Sequence, residues 1–163
     1  MRKKILWGEQ VPALHYSYFT IGEIEMTRTD ELLSIIKDRT IGIDAWSDYY
    51  LDEAIDLAEK LCKSGDLEKC LQEASLLDEE AKIRLFEVIL DISSPEMAPK
   101  LLQILTEADG ELVEVLIDGL RSWPLEIDQR KQLLFTAGKV RGQSTLLDKI
   151  IDNFASTMHS GDL

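Results

Sequence analysis

From Asp30 to about residue 158 the apolar residues recur three and four positions apart, the spacing that gathers them on one side of an α-helix. Thr29 or Asp30 can cap a first helix carrying Leu32, Leu33, Ile35 and Ile36, and Gly42 follows it. A second is expected from about Trp46 to Lys63, with Leu51, Ala54, Ile55, Ala58, Leu61 and Cys62 inward, stopped by Gly65. A third spans about 66–76, with Leu67, Cys70, Leu71 and Ala74 inward. Asp78 then caps a fourth that opens on Glu79 and Glu80, where acids complement the helix dipole, and carries Ile83, Phe86, Ile89, Leu90 and Ile92. Ser94-Pro95 starts a fifth, with Pro99 delaying or kinking its first turn. Asp109 caps a sixth running to about Trp123, where Pro124 stops it. The seventh covers about 126–138. After Gly142, Ser144 or Thr145 caps an eighth with Leu146, Leu147, Ile150, Ile151 and Phe154 on its stripe, and Thr145 with Asp148 resembles a capping box.

Residues 1–28 have no such period. Leu14–Ile21, rich in aromatic and β-branched residues, reads as a short strand, hairpin or extended arm packed over the open end of the helices. The expected organisation is an extension at 1–28, an α-helical repeat domain at 29–158 and a frayed tail at 159–163.

The helices also match one another in pairs. A shift of 31 takes Cys70, Leu71 and Ala74 to Leu101, Leu102 and Leu105, and a shift of 32 carries Leu101 and Leu102 to Leu133 and Leu134. Among the alternate helices, a shift of 30 takes Ile83 to Val113 and Leu90 to Leu120, and one of 34 takes Leu112 to Leu146 and Leu116 to Ile150. A self-match at this period marks a helical solenoid, in which hairpins that cannot bury their own apolar faces stack and share a core. A plain eight-helix bundle is the competing arrangement. The stretch from Ser94 through Val113, with its Pro-Glu start, Pro99, the leucines 101, 102 and 105 and Asp109, resembles the HEAT and phycobilisome-lyase class of repeats. That resemblance implies an all-α, right-handed solenoid of about four antiparallel helix pairs. The class often places an Arg early in the second helix of a pair, where this stretch has Val113-Glu114.

Composition narrows the function. A chain of 163 residues, 45% hydrophobic and 30% charged, can bury roughly 70% of its unfolded surface, so it folds as one domain without help from metal or disulfide. Cys62 and Cys70 lie beside leucines and read as buried, reduced thiols, which favours a cytoplasmic protein. The basic start breaks its apolar run at Gly8, too short for a signal peptide, and nothing approaches a membrane span. The net charge is −13, and residues 48–128 hold 21 acids against 7 bases, a local net of −14. Such a field repels nucleic acid and anionic lipid and attracts cationic partners, although acidity also serves solubility alone.

Each second helix carries carboxylates four residues apart: Asp52 and Asp56, Glu87 and Asp91, Glu114 and Asp118, Asp148 and Asp152. Like charges at that spacing share a face and cost about 0.2–0.5 kcal/mol per pair. Four such costs at matching places suggest an acidic, partner-binding ridge, or else an ordinary solvated surface. Beside the first pair, Trp46, Tyr49 and Tyr50 suit either an interface anchor or packing against the N-terminal arm.

Catalytic chemistry is harder to find. His15 and His159 are the only histidines, and the sequence contains no nucleophile elbow, phosphate loop, dinucleotide turn or zinc spacing. Carboxylates on a solvated helix face lack the burial that tunes a general acid. The expectation is therefore a non-enzymatic protein without cofactor or metal. It would be a monomeric inhibitor of the immunity-protein type that neutralises a basic toxin, possibly a nuclease, through its acidic helical surface. The alternatives are an enzyme or chaperone of the phycobilisome-lyase type and a scaffold adaptor.

Overall fold

The computed structural model describes residues 27–160, and every regular element among them is helical. The extension expected at 1–28 lies outside the described residues as far as residue 26, His15 included, and so do residues 161–163 of the tail expected at 159–163. Helix α1 is Arg28–Lys37. Helix α2 is continuous from Ile43 through a π-helical turn, Trp46–Tyr50, into a regular segment, Leu51–Ser64. Helix α3 is Leu67–Glu73, prolonged by the 3₁₀ turn Ala74–Leu76, and α4 is Glu79–Ile92. Helix α5, Ala98–Glu107, is entered through the 3₁₀ turn Pro95–Met97, the delay that Pro99 imposes. Helices α6, α7 and α8 are Gly110–Arg121, Ile127–Lys139 and Thr145–Ser160.

The caps explain the boundaries. Helix α1 starts earlier than the apolar pattern indicates, because Thr27 and Asp30 bond reciprocally in a capping box. Asp78 caps α4 as expected, accepting from the Ala81 amide at 3.0 Å. Ser144 caps α8, and Asp148 turns away from Thr145 to accept from the Gly142 amide at 2.8 Å. Asp109 occupies the N-cap of α6 but makes no capping bond with its side chain. Instead Glu79, from the first turn of α4, accepts a long bond of 3.4 Å from the Glu111 amide. A carboxylate of one helix thus sits on the positive end of another.

The even-numbered helices pack in sequence, α2 on α4, α4 on α6 and α6 on α8. Of the odd-numbered ones, α1 packs on α3 and α5 on α7. Helix α1 also contacts α2 and α4, whereas α8 contacts α6 and α7. The core runs through all of them, from Leu32 and Ile36 through Leu85, Ile89, Leu101 and Leu116 to Ile151 and Phe154. Helix α4 is the most enclosed. Its sequence suggests one apolar stripe, yet Ala81, Leu85 and Val88 are buried as well as Phe86 and Ile89, and three helices, α1, α2 and α6, pack on it.

Gly110 has a φ of 57°, and a Cβ there would collide with Glu79 Oε1. Left-handed backbone costs a side-chain-bearing residue about 1–2 kcal/mol. Gly110→Ala should therefore lower unfolding free energy by at least about 1 kcal/mol in denaturant titration, and Glu79→Ala in the same chain should recover only the steric part. Four aspartates that bond neighbouring groups, Asp30, Asp38, Asp66 and Asp78, have carboxyls held below their ordinary value of 3.8; for Asp78 the causes are the Ala81 amide and then Arg39. Stability from a depressed carboxyl is complete above the unfolded value and disappears as pH falls through the lower folded value. The difference in Tm between the native protein and Asp78→Ala should accordingly stay constant from about pH 5 to 7 and narrow as pH falls below 3.8.

Candidate functional site

The α1–α2 loop is fastened to α4 by two arginines. Asp38 shapes the loop, its carboxylate accepting from the Thr40 amide at 2.8 Å and the Thr40 hydroxyl at 2.6 Å. Arg84 enters from α4 and is 3% exposed. Its Nη1 donates to the Asp38 carbonyl at 2.9 Å, and its Nη2 donates to the Ile41 carbonyl and to Glu80 Oε1, both at 2.6 Å. The guanidinium carbon lies 5.1 Å from the centre of the Trp46 ring, a cation–π distance. Outside it, Arg39 pairs with Asp78 at 2.7 Å and with Glu80 Oε2 at 3.0 Å, so Glu80 offers one oxygen to each arginine. Trp46 completes the assembly by donating from Nε1 to Glu87 at 2.9 Å.

These groups wall a cleft of about 590 Å³ where the start of α2 faces the first turns of α4 and α6. Ile43, Trp46 and Ile83 supply its apolar surface. Asp78, Glu79, Glu80, Glu87 and Glu111 also line it, five carboxylates against the guanidiniums of Arg39 and Arg84, a formal net of −3. Both guanidiniums are already occupied within the fold. The cleft therefore presents excess negative charge beside an apolar wall, an arrangement that suits an ammonium or guanidinium group with its carbon stem.

The eight carboxylates singled out in the sequence divide into three groups. Glu87 and Glu114 are half-buried and join neighbouring elements: Glu87 holds Trp46 of α2, and Glu114 accepts from the Ser144 hydroxyl at the start of α8, 3.1 Å away. Asp118, Asp148 and Asp152 have local partners, respectively Arg121 at 2.7 Å, the Gly142 amide and Arg141. Asp52, Asp56 and Asp91 are exposed. Only Glu87 of the eight lines the cleft. Trp46 is buried in the clamp, and Tyr49, 75% exposed, stands on the outer side of the π turn.

Sequence reading missed Arg84, although its signal was there. Residues 81, 84, 85 and 88 fall on one helical face, and an arginine on an otherwise apolar stripe must find partners or leave the core. It also puts an arginine early in the second helix of a pair, one pair before the stretch where Val113-Glu114 stands. Linear reading places Glu79 and Glu80 as acids that complement the helix dipole and gives Glu111 no role, because nothing in the linear order brings positions 79 and 111 together. Among the described residues, no group of three or more His, Cys, Asp or Glu side chains could hold a metal ion, and no helix is long and apolar enough to cross a membrane. Cys70 is buried, which pushes its thiol up, and Cys62 is exposed, a departure from the expected pair of buried thiols. No family model, curated protein or solved structure matches the chain.

Arg84→Ala would take the guanidinium from the Ile41 carbonyl, leave the Asp38 carbonyl only the Ile41 amide at 3.3 Å, and open a void beside Trp46. Hydrogen bonds to a charged group contribute about 1.5–3 kcal/mol, so a loss of about 2–4 kcal/mol is expected in chemical denaturation. Arg84→Lys should recover less than half of it, because an ammonium cannot span the same fork of acceptors.

Proposed function

We propose that this chain is a non-enzymatic binding protein whose acidic surface occupies the cationic face of a partner protein, as immunity proteins do with secreted toxins. The observation that carries this reading is the cleft, where five carboxylates face two guanidiniums that are already in use. The wider surface has the same sign, with Asp52, Asp56 and Asp91 exposed on α2 and α4. Sequential packing of the even-numbered helices supports, as part of the same reading, a stack of four helix pairs, and the right-handed turn of that stack rests on the HEAT resemblance. In such a stack α2, α4 and α6 would present their acids along one continuous face. Opposite charges steer association, so the acids act mainly on the rate of encounter. Any carboxylate buried against an arginine of the partner would also slow its release.

The partner is to be isolated by copurification from the source cells; a protein of high isoelectric point, inhibited by this chain, is expected. Association kinetics are then compared at low and high salt for the quadruple variant Glu87→Gln, Asp91→Asn, Glu114→Gln and Asp118→Asn. Association at low salt should slow by roughly tenfold and lose much of its salt dependence. Because Glu87 and Glu114 also join helices, the triple variant Asp52→Asn, Asp56→Asn and Asp91→Asn serves as a second arm that disturbs no internal bond. It should slow association in the same direction. Unchanged rates for both variants at both salts would make the acids a solvated face only.

A further inference from the structure

A second surface lies between α3 and α5. These two helices make fewer close backbone approaches than α1 with α3 or α5 with α7. The Lys100–Glu68 ion pair bridges the gap. Two adjoining cavities of about 370 and 210 Å³ occupy it and share Leu71, Ile104 and Glu107. The floor of the larger one is apolar, with Phe86 and Leu112 buried beneath the half-buried Ile104. Leu76, 78% exposed, directly follows Ser75 in the wall.

The rim is acidic. Glu68, Glu79, Glu107 and Asp109 stand there against Lys82 and Lys100, a formal net of −2. Lys100 is committed to Glu68, and Glu79 faces the start of α6. Glu107 and Asp109 remain exposed at the end of the groove where α5 turns into α6.

We propose that this groove docks a basic protein segment that inserts one large apolar side chain between α3 and α5, with flanking lysines or arginines meeting Glu107 and Asp109. Three features select that occupant. The larger cavity is at the low end of the range for ligand sites, large enough for one side chain. Its floor rewards apolar area removed from water. Its rim opposes phosphate and anionic lipid and favours cations. The groove shares only Glu79 with the cleft between α2, α4 and α6, so this inference stands whether or not that cleft binds a partner.

The probe is a labelled synthetic oligolysine peptide with one central Phe, compared by fluorescence anisotropy with the same peptide carrying Ser in its place. Both peptides have the same charge, so a difference between them reads the apolar anchor alone. The Phe peptide should bind about tenfold more tightly, the effect of burying most of one aromatic side chain. Ile104→Lys should abolish that difference, and Asp52→Asn with Asp56→Asn and Asp91→Asn should leave it intact while weakening both peptides equally. If Ile104→Lys unfolds by circular dichroism, Glu107→Lys on the exposed rim decides, and it should weaken the Phe peptide more than the Ser peptide and so shrink the difference between them. Equal affinity of the two peptides for the native protein would overturn the proposal. So would a preference for Phe that survives the substitution in the groove.

Discussion

A guanidinium cannot be buried at low cost unless its donors find acceptors in the planar fork they define. Arg84 meets that demand with two backbone carbonyls from one loop, a carboxylate one turn away and an aromatic face. The acceptors are fixed in space, so the loop between α1 and α2 has one position relative to α4. The start of α2 is fixed in turn, because Trp46 lies against the guanidinium and donates to Glu87. The π turn at Trp46–Tyr50 belongs to the same constraint: it lets a buried Trp46 and an exposed Tyr49 occupy the first turns of a helix whose later residues follow regular spacing.

The carboxylates serve two purposes. Asp78 and Glu80 hold arginines, Glu79 sits on the start of α6, and Glu114 holds the start of α8. These acids are structural, and they explain part of the negative charge without any partner. Counter-charge inside the fold then runs out. Residues 48–128 contain 21 acids and 7 bases, and several of those bases are engaged in internal pairs. The surplus faces solvent, at Asp52, Asp56 and Asp91 on α2 and α4 and at Glu111 in the cleft. A surface of this kind draws a basic protein toward it and then offers apolar area, around Ile43 in the cleft and around Ile104 in the groove, for the contacts that slow dissociation.

Local signals in the sequence were legible. Apolar spacing found each helix, and Asp78, Pro99, Gly65 and Ser144 marked ends and starts because capping and backbone restrictions act within a few residues. The all-α class followed from the same pattern. What could not be read were contacts between residues roughly thirty to forty positions apart: Arg84 with the loop carbonyls, Trp46 with Glu87, Glu79 with the amide of Glu111. A carboxylate at i and i+4 looks the same whether it ties two helices, as Glu87 does, or stands in water, as Asp56 does. The acid pairs were therefore visible as residues and not as a site. Of the cleft acids, Glu79 and Glu80 look in linear order like acids of the helix dipole and Asp78 like a cap, and nothing local marks Glu111.

The Arg84 clamp fixes the N-terminal half of the fold and so shapes the acidic cleft. Amide hydrogen exchange of Arg84→Lys against the native protein tests it most directly, because exchange reports local opening residue by residue. Protection should fall in α1, in the loop from Asp38 to Gly42 and in the start of α2 through Tyr50, while α7 and α8 retain native protection. Equal loss of protection throughout, or none near the loop, would contradict it.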